Sequence, residues 1–218
     1  MEKKPVVVLD AGHGGVDSGA LGPRGTKESD VALAVVMLLG GLLMTDDVEV
    51  VFTRKQDVFV ELTERAAIAN RAEADLFLSV HCNSAETPAR GIETFIANSA
   101  EAEFGTRIQS ALMEFNKDRV NRGLKRAGFA VLVYTRCKAA LAELEFIHTA
   151  DGENFLSQSK THLNMAKALR AGILVQLGKA SSPPAVATPE QLRADPPISR
   201  KDELVATAKK LLQLAENL

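Results

Sequence analysis

Four residues of this 218-residue chain stand at or near the ends of apolar runs, and their types can perform metal-assisted chemistry together. His13 follows the β-branched run Pro5-Val-Val-Val-Leu9, and His81 closes the run Asp75-Leu-Phe-Leu-Ser-Val80. Glu28 stands just ahead of Val31–Met44, an apolar run of helical length, and Glu143 lies within Ala139–Ile147. Two imidazoles and one carboxylate suit Zn²⁺ and leave a fourth tetrahedral corner to water, the catalytic kind of zinc site. A further glutamate can then serve that water as general base. Spacing alone leaves the matter open. No compact H-E-x-x-H is present, and a lone histidine at a strand end is commonly a hydrogen-bonded structural residue. The glycine-rich stretch from Asp10 to Ala20 lacks G-x-x-x-x-G-K-[ST], and its glycines are wrongly spaced for a dinucleotide fingerprint.

Groups so far apart in the chain can meet only if secondary structure gathers them. Strands are expected at 5–9, 48–52, 75–83, 91–96 and 139–147, the second of them alternating in pattern. Helices are expected at 31–44, 62–70, 100–115 and 161–177, with a turn or short helix at 151–153. The stretch from Arg122 to Gly128 reads as a basic loop leading into the apolar run Phe129–Tyr134. Strands that are mostly apolar throughout and alternate with helices predict an α/β sheet covered on both faces. In such sheets ligands collect outside the carboxyl ends of the parallel strands, where His13 and His81 fall.

Composition sets the limits. Hydrophobic residues at 46% and charged residues at 25% describe an ordinary globular protein. A net charge of −2 gives no electrostatic reason to expect a nucleic acid or an anionic membrane as partner. With no Trp and one Tyr, aromatic platforms for gripping polysaccharide are scarce. Cys82 and Cys137 form no CxxC pair and read as free thiols. No signal peptide is visible after Lys3-Lys4, and the uncharged run Val31–Met44 falls short of the roughly 20 residues that span a bilayer. Five of the eight prolines lie between Ser181 and Ser199. The expected division is therefore a body at 1–180, a Pro/Ala/Ser-rich linker at 181–198, and an amphipathic helix at 199–218. That helix carries the stripe Leu204, Ala208, Leu211, Ala215 and Leu218, suited to docking on the body, on a second copy or on a partner.

Several blocks occur together in order: Asp10-x-Gly-His-Gly-Gly, Glu28, Phe52-Thr-Arg54, Leu62-x-x-Arg65 and Ala69-Asn70. They are followed by Ala74-Asp-Leu-Phe-Leu-Ser-Val-His81-x-Asn83, Gly91-x-Glu-Thr and Ala142-Glu143-Leu-x-Phe-Ile. From about Val6 to Leu177 the chain resembles the zinc-dependent N-acetylmuramoyl-L-alanine amidases of the type 3 family. The resemblance implies a three-layer α/β/α fold with a mostly parallel, mixed twisted sheet. It implies hydrolysis of the amide between the lactyl group of N-acetylmuramic acid and L-alanine in peptidoglycan, at the bacterial cell wall in the periplasm or outside the cell. Carried over, His13, Glu28 and His81 are the zinc ligands and Glu143 the catalytic carboxylate; beside them, Asn83 reads as a turn-former or a substrate contact, and Glu145 as a substrate contact or a substitute for Glu143. Regulated cell-division members carry an extra segment near 96–119 that this chain lacks, which implies activity without an activator. Two departures stand out. Glu145 replaces a usual glycine and, two residues from Glu143 on a strand, is expected to face the same side and crowd the site. His148-Thr149 replaces a frequent Ser-Asn. The competing readings are a zinc peptidase for another amide and a catalytically weakened domain that binds wall or partner.

Overall fold

The computed structural model describes residues 3–180 and the pair Arg193–Ala194. The expected helix at 199–218 and the linker around that pair lie outside the described residues. Among the described residues, seven strands form one sheet in the order β2-β1-β3-β6-β4-β5-β7. They are β1 (Val6–Ala11), β2 (Glu49–Phe52), β3 (Leu76–Asn83), β4 (Ile92–Ile96), β5 (Asn121–Arg126), β6 (Lys138–Phe146) and the two-residue β7 (Arg193–Ala194). The first half of the sheet is parallel, with β1 between β2 and β3, and β3 against β6. Direction reverses once, where β4 runs antiparallel to β6, and β5 then follows β4 in parallel.

Among the described residues, six α-helices cover the two faces. They are α1 (Glu28–Leu43), α2 (Leu62–Arg71), α3 (Glu103–Phe115), α4 (Ala130–Val133), α5 (Ala150–Leu156) and α6 (Ser159–Gln176). One core joins α1, α3 and α6 to the side chains of Val7, Leu9, Leu78, Val80, Ala142 and Leu144. The opposite, smaller core sets Ala69 of α2 and Val131 and Leu132 of α4 against Val8, Phe77, Phe95 and Leu141. Three layers result, as expected. Every residue of β1 is buried because helices lie on both of its faces, which explains why the strand reads as an unbroken apolar run. With the turn that follows it, α1 has the length and mean hydropathy (1.6) of a membrane span, yet half of that window is buried in the larger core.

The sequence expectation fails at one element. Residues 122–126 belong to strand β5 rather than to a loop. Its pattern is that of a sheet margin: Leu124 alone goes deep into the larger core, while Arg122, Lys125 and Arg126 stay partly exposed. Charges on such a strand discourage pairing with a foreign edge, and they also hide it from a search for apolar runs. The apolar run that follows folds as the single turn α4.

The smaller core includes no residue of β3 beyond Phe77 and none of β6 beyond Leu141. Further along these strands, in the parity of Phe77 and Leu141, stand the partly exposed His81, Asn83 and Glu143.

Candidate active site

Three elements deliver three donors to one point. His13 leaves the end of β1, Glu28 is the first residue of α1, and His81 lies near the end of β3. One nitrogen or oxygen from each lies within 4.8 Å of those of the other two. Nε2 of His13 and Nδ1 of His81 each sit 2.9 Å from Oε1 of Glu28. The approach requires glycine beside it. A Cβ on Gly12 would lie 2.3 Å from Cε1 of His81, and one on Gly19 would lie 2.6 Å from both Glu28 Oε2 and the His13 ring.

The far sides of these donors are held as firmly. Nδ1 of His13 lies 2.7 Å from Oδ2 of Asp17, whose Oδ1 accepts from the Gly19 N–H at 3.0 Å. Oε2 of Glu28 accepts from the Ala20 N–H at 2.8 Å, and Oε1 from the Cys82 N–H at 3.1 Å. A carboxylate behind a histidine fixes ring orientation and raises its basicity toward a metal. Burial alone would lower the His13 pKa, but Asp17 and Glu28 more than offset it and push it up to about 9. Burial opposes the charge on Glu28 too, yet its two histidine contacts hold that carboxyl far below the usual range.

His13 adopts φ 58°, a left-handed conformation that costs a non-glycine residue on the order of 1 kcal/mol. Two buried guanidinium groups hold it there. Arg65 donates to the carbonyls of Ala11 and His13 at 2.6 and 2.7 Å, and Arg54 to those of Ala11 and Gly12 at 2.9 and 2.7 Å. Asp10, fully buried, receives Arg65, Thr53 and Ser79 at 2.8, 2.6 and 2.6 Å. Burial pushes its carboxyl up, but Arg65 and the two hydroxyls prevail and keep it ionised below its usual range.

Glu143 is paired in register with His81 across β3 and β6. Its Oε2 is sealed from solvent and has no hydrogen-bond partner among the described residues. Burial first, then the neighbouring charges of Glu28 and Glu93, push this carboxyl well above the usual range. An orphaned acid beside two imidazoles and a carboxylate fits a hard-to-borderline cation and a water between them.

The other sequence candidates fall as follows. Asn83 donates to Oε1 of Glu93 at 2.5 Å. Glu145 does not crowd the three donors. It is 0% exposed; its Oε1 accepts from the backbone N–H groups of Gly91 and Phe146, and Oε2 lies 3.8 Å from Arg119. The sheet register shifts between His81 and Asn83, so simple strand parity cannot be extended from Glu143 to its neighbour. His148 braces the loop before β4, accepting from the Ala85 N–H at 3.3 Å and lying 3.1 Å from the Thr87 carbonyl. Cys82 is buried in the larger core, and His162 caps the Leu156 carbonyl at 2.6 Å. Arg65 and Asn70 tie α2 to its surroundings, Asn70 by donating to Tyr134 and accepting from Arg136.

Two contributors escaped sequence reasoning. Asp17 stands four residues from His13, a spacing that signals nothing in a loop. Glu153, on α5, is fully buried and accepts from the N–H groups of Arg24 at 2.8 Å and Thr26 at 3.0 Å, so it anchors the loop that ends in Glu28.

The comparisons agree with this geometry. The family profile of N-acetylmuramoyl-L-alanine amidase (Amidase_3) matches residues 7–175. An uncharacterised protein of Bacillus subtilis, YqiI, is 38% identical over 77% of this chain and 82% of its own. The endolysin of Bacillus phage SPP1 is 37% identical over 92% of this chain and 75% of its own. Among solved structures, the N-acetylmuramoyl-L-alanine amidase AmiC2 of Nostoc punctiforme superposes with a TM-score of 0.78 at 33% identity, covering 82% of this chain and 99% of that one. The chain belongs to the type 3 family of N-acetylmuramoyl-L-alanine amidases. Its reaction is hydrolysis of the amide that joins N-acetylmuramic acid to L-alanine in peptidoglycan.

Proposed function

We propose that His13, Glu28 and His81 hold a zinc ion, that Glu143 is the proton-moving carboxylate, and that the enzyme works on the bacterial cell wall in the periplasm or outside the cell. The observation that carries this reading is the convergence of three donor atoms within 4.8 Å beside an unpartnered, buried carboxylate oxygen. Two nitrogens and one oxygen form a donor set that zinc favours with one position left open. Zinc bound there supplies Lewis acidity, polarising a carbonyl and lowering the pKa of water.

The rest of the chemistry falls to the chain. Asp17 and the Gly19 and Ala20 N–H groups keep His13 and Glu28 aimed. Glu143 takes the proton of the attacking water and returns it to the alanine nitrogen as the C–N bond breaks, since an amide anion leaves poorly. Its raised pKa makes it a better proton acceptor than an ordinary surface carboxylate and brings it nearer the working pH.

Metal analysis of the purified protein and digestion of isolated peptidoglycan test the reading. The expected result is about one zinc per chain and newly exposed alanine amino groups in the digest. Glu143→Gln should keep its zinc and lose at least about 100-fold in rate. A metal-free active enzyme, or an active Glu143→Gln, overturns it. An enzyme silent until a second protein is added would reject the expectation of activator-free action.

A further inference from the structure

Beyond Glu143 the sheet continues onto β4 and β5, and its side chains change character there. Glu93 lies opposite Glu143 across the antiparallel seam and is almost fully buried. Three neighbours serve it: Asn83 on Oε1 at 2.5 Å, and Arg122 and Lys125 on Oε2 at 2.6 and 2.9 Å. Arg122 spends only Nε on this contact. Its guanidinium also lies 4.8 Å from the centre of the Phe146 ring, at the end of β6. Neither Nη group has a hydrogen-bond partner among the described residues, and the side chain is 32% exposed.

The nearby cations are committed elsewhere. Arg119 is held by Asp118 and Asp151 and lies over Phe155. Arg126 donates to the carbonyls of Ala97, Asn98 and Ala100. Arg122 alone among these three presents a planar fork, fixed on one edge and stacked on a ring, with its other edge open. A fork of this kind matches the two oxygens of a carboxylate.

The two halves of the substrate differ in this respect. The one carboxyl of N-acetylmuramic acid is consumed in the scissile amide, so the sugar side offers none, whereas the peptide side can carry free side-chain and α-carboxylates. The other flank of the site, by contrast, exposes the apolar side chains of Val16, Val58 and Phe59. Resting on the amidase reading above, we infer that Arg122 grips a carboxylate of the peptide stem beyond the scissile alanine. This contact places the peptide over β4 and β5 and selects for acidic stems.

The test uses matched muramyl peptides whose residue after alanine carries either a free carboxylate or the corresponding amide. The full chain should favour the free acid by roughly tenfold or more in kcat/KM, mostly through KM. Arg122→Ala should collapse that ratio to near one, and Arg122→Lys should restore part of it. Glu93 keeps Lys125 and Asn83 in Arg122→Ala, so the variant should fold, which a thermal melt checks. In parallel, binding of the acidic peptide and its amide is followed by titration calorimetry, which needs no turnover. If the wild type cleaves both substrates equally, or if Arg122→Ala loses equally on both, the inference fails while the amidase reading stands. If no cleavage occurs but the acidic peptide still binds more tightly through Arg122, the amidase reading fails and the carboxylate grip stands.

Discussion

At the scale of single residues, the site is a set of charges that oppose one another until something joins them. His13 sits between Asp17 and Glu28, and its pKa of about 9 in the metal-free protein lies above the unfolded value near 6.5. The sign follows. Its pairing contributes fully to stability below about pH 6.5 and is lost as pH rises through about 9. At pH 7.5 the ring is therefore charged, and a metal must displace that proton. Calorimetric titration of zinc in two buffers of different ionisation enthalpy should show release of close to one proton per ion. Asp17→Ala should reduce the release and weaken binding by about 10–100-fold. Buffer-independent heats would refute the assignment.

At the scale of elements, each donor depends on a neighbour that pins its segment. The strand exits were legible in the sequence because a buried parallel strand must be apolar, so the polar residue at its end stands out. His13, His81 and Glu143 were visible for that reason. Glu28 was visible because it precedes the longest apolar run. Asp17 and Glu153 were not, since their partners are backbone N–H groups or a ring brought near only by the fold. The same holds for Glu145: local strand parity pointed it at the site, but the register shift and the Gly91 N–H turned it into a brace. Strand β5 was missed because a charged strand near the sheet margin carries less apolar signal than a fully buried one.

Glu153 offers a direct check on this level of organisation. Replacing it with Gln puts an NH₂ group where an oxygen accepts from a backbone N–H, and the loop from Leu21 to Lys27 loses part of its anchor. Trypsin should then cut after Arg24 or Lys27 several-fold faster than in the wild type, as read by mass spectrometry of timed digests. Unchanged cleavage would show that the loop is held by other means.

At the scale of the whole molecule, the sheet explains why the site can exist. Parallel β1 and β3 bring two histidines to one edge, and the antiparallel seam between β6 and β4 sets Glu93 opposite Glu143. Since the three donors come from the exit of β1, the start of α1 and the end of β3, an ion held by them would cross-link those three elements. At a hundredfold excess over its dissociation constant it adds about 2.7 kcal/mol, or roughly 5–10 °C in melting temperature for a domain of this size. Scanning calorimetry with and without zinc should record that rise, and a chelator should reverse it. Equal melting temperatures would indicate that no ion bridges these elements.

Arg54 and Arg65 cap the carbonyls of Ala11, Gly12 and His13, where β1 has outrun β2. The backbone of the cradle is thus set by guanidinium groups before any cation arrives, and only the His13 proton has to leave. Loading in a stopped-flow instrument should follow one second-order phase, without a slow step that becomes independent of zinc concentration.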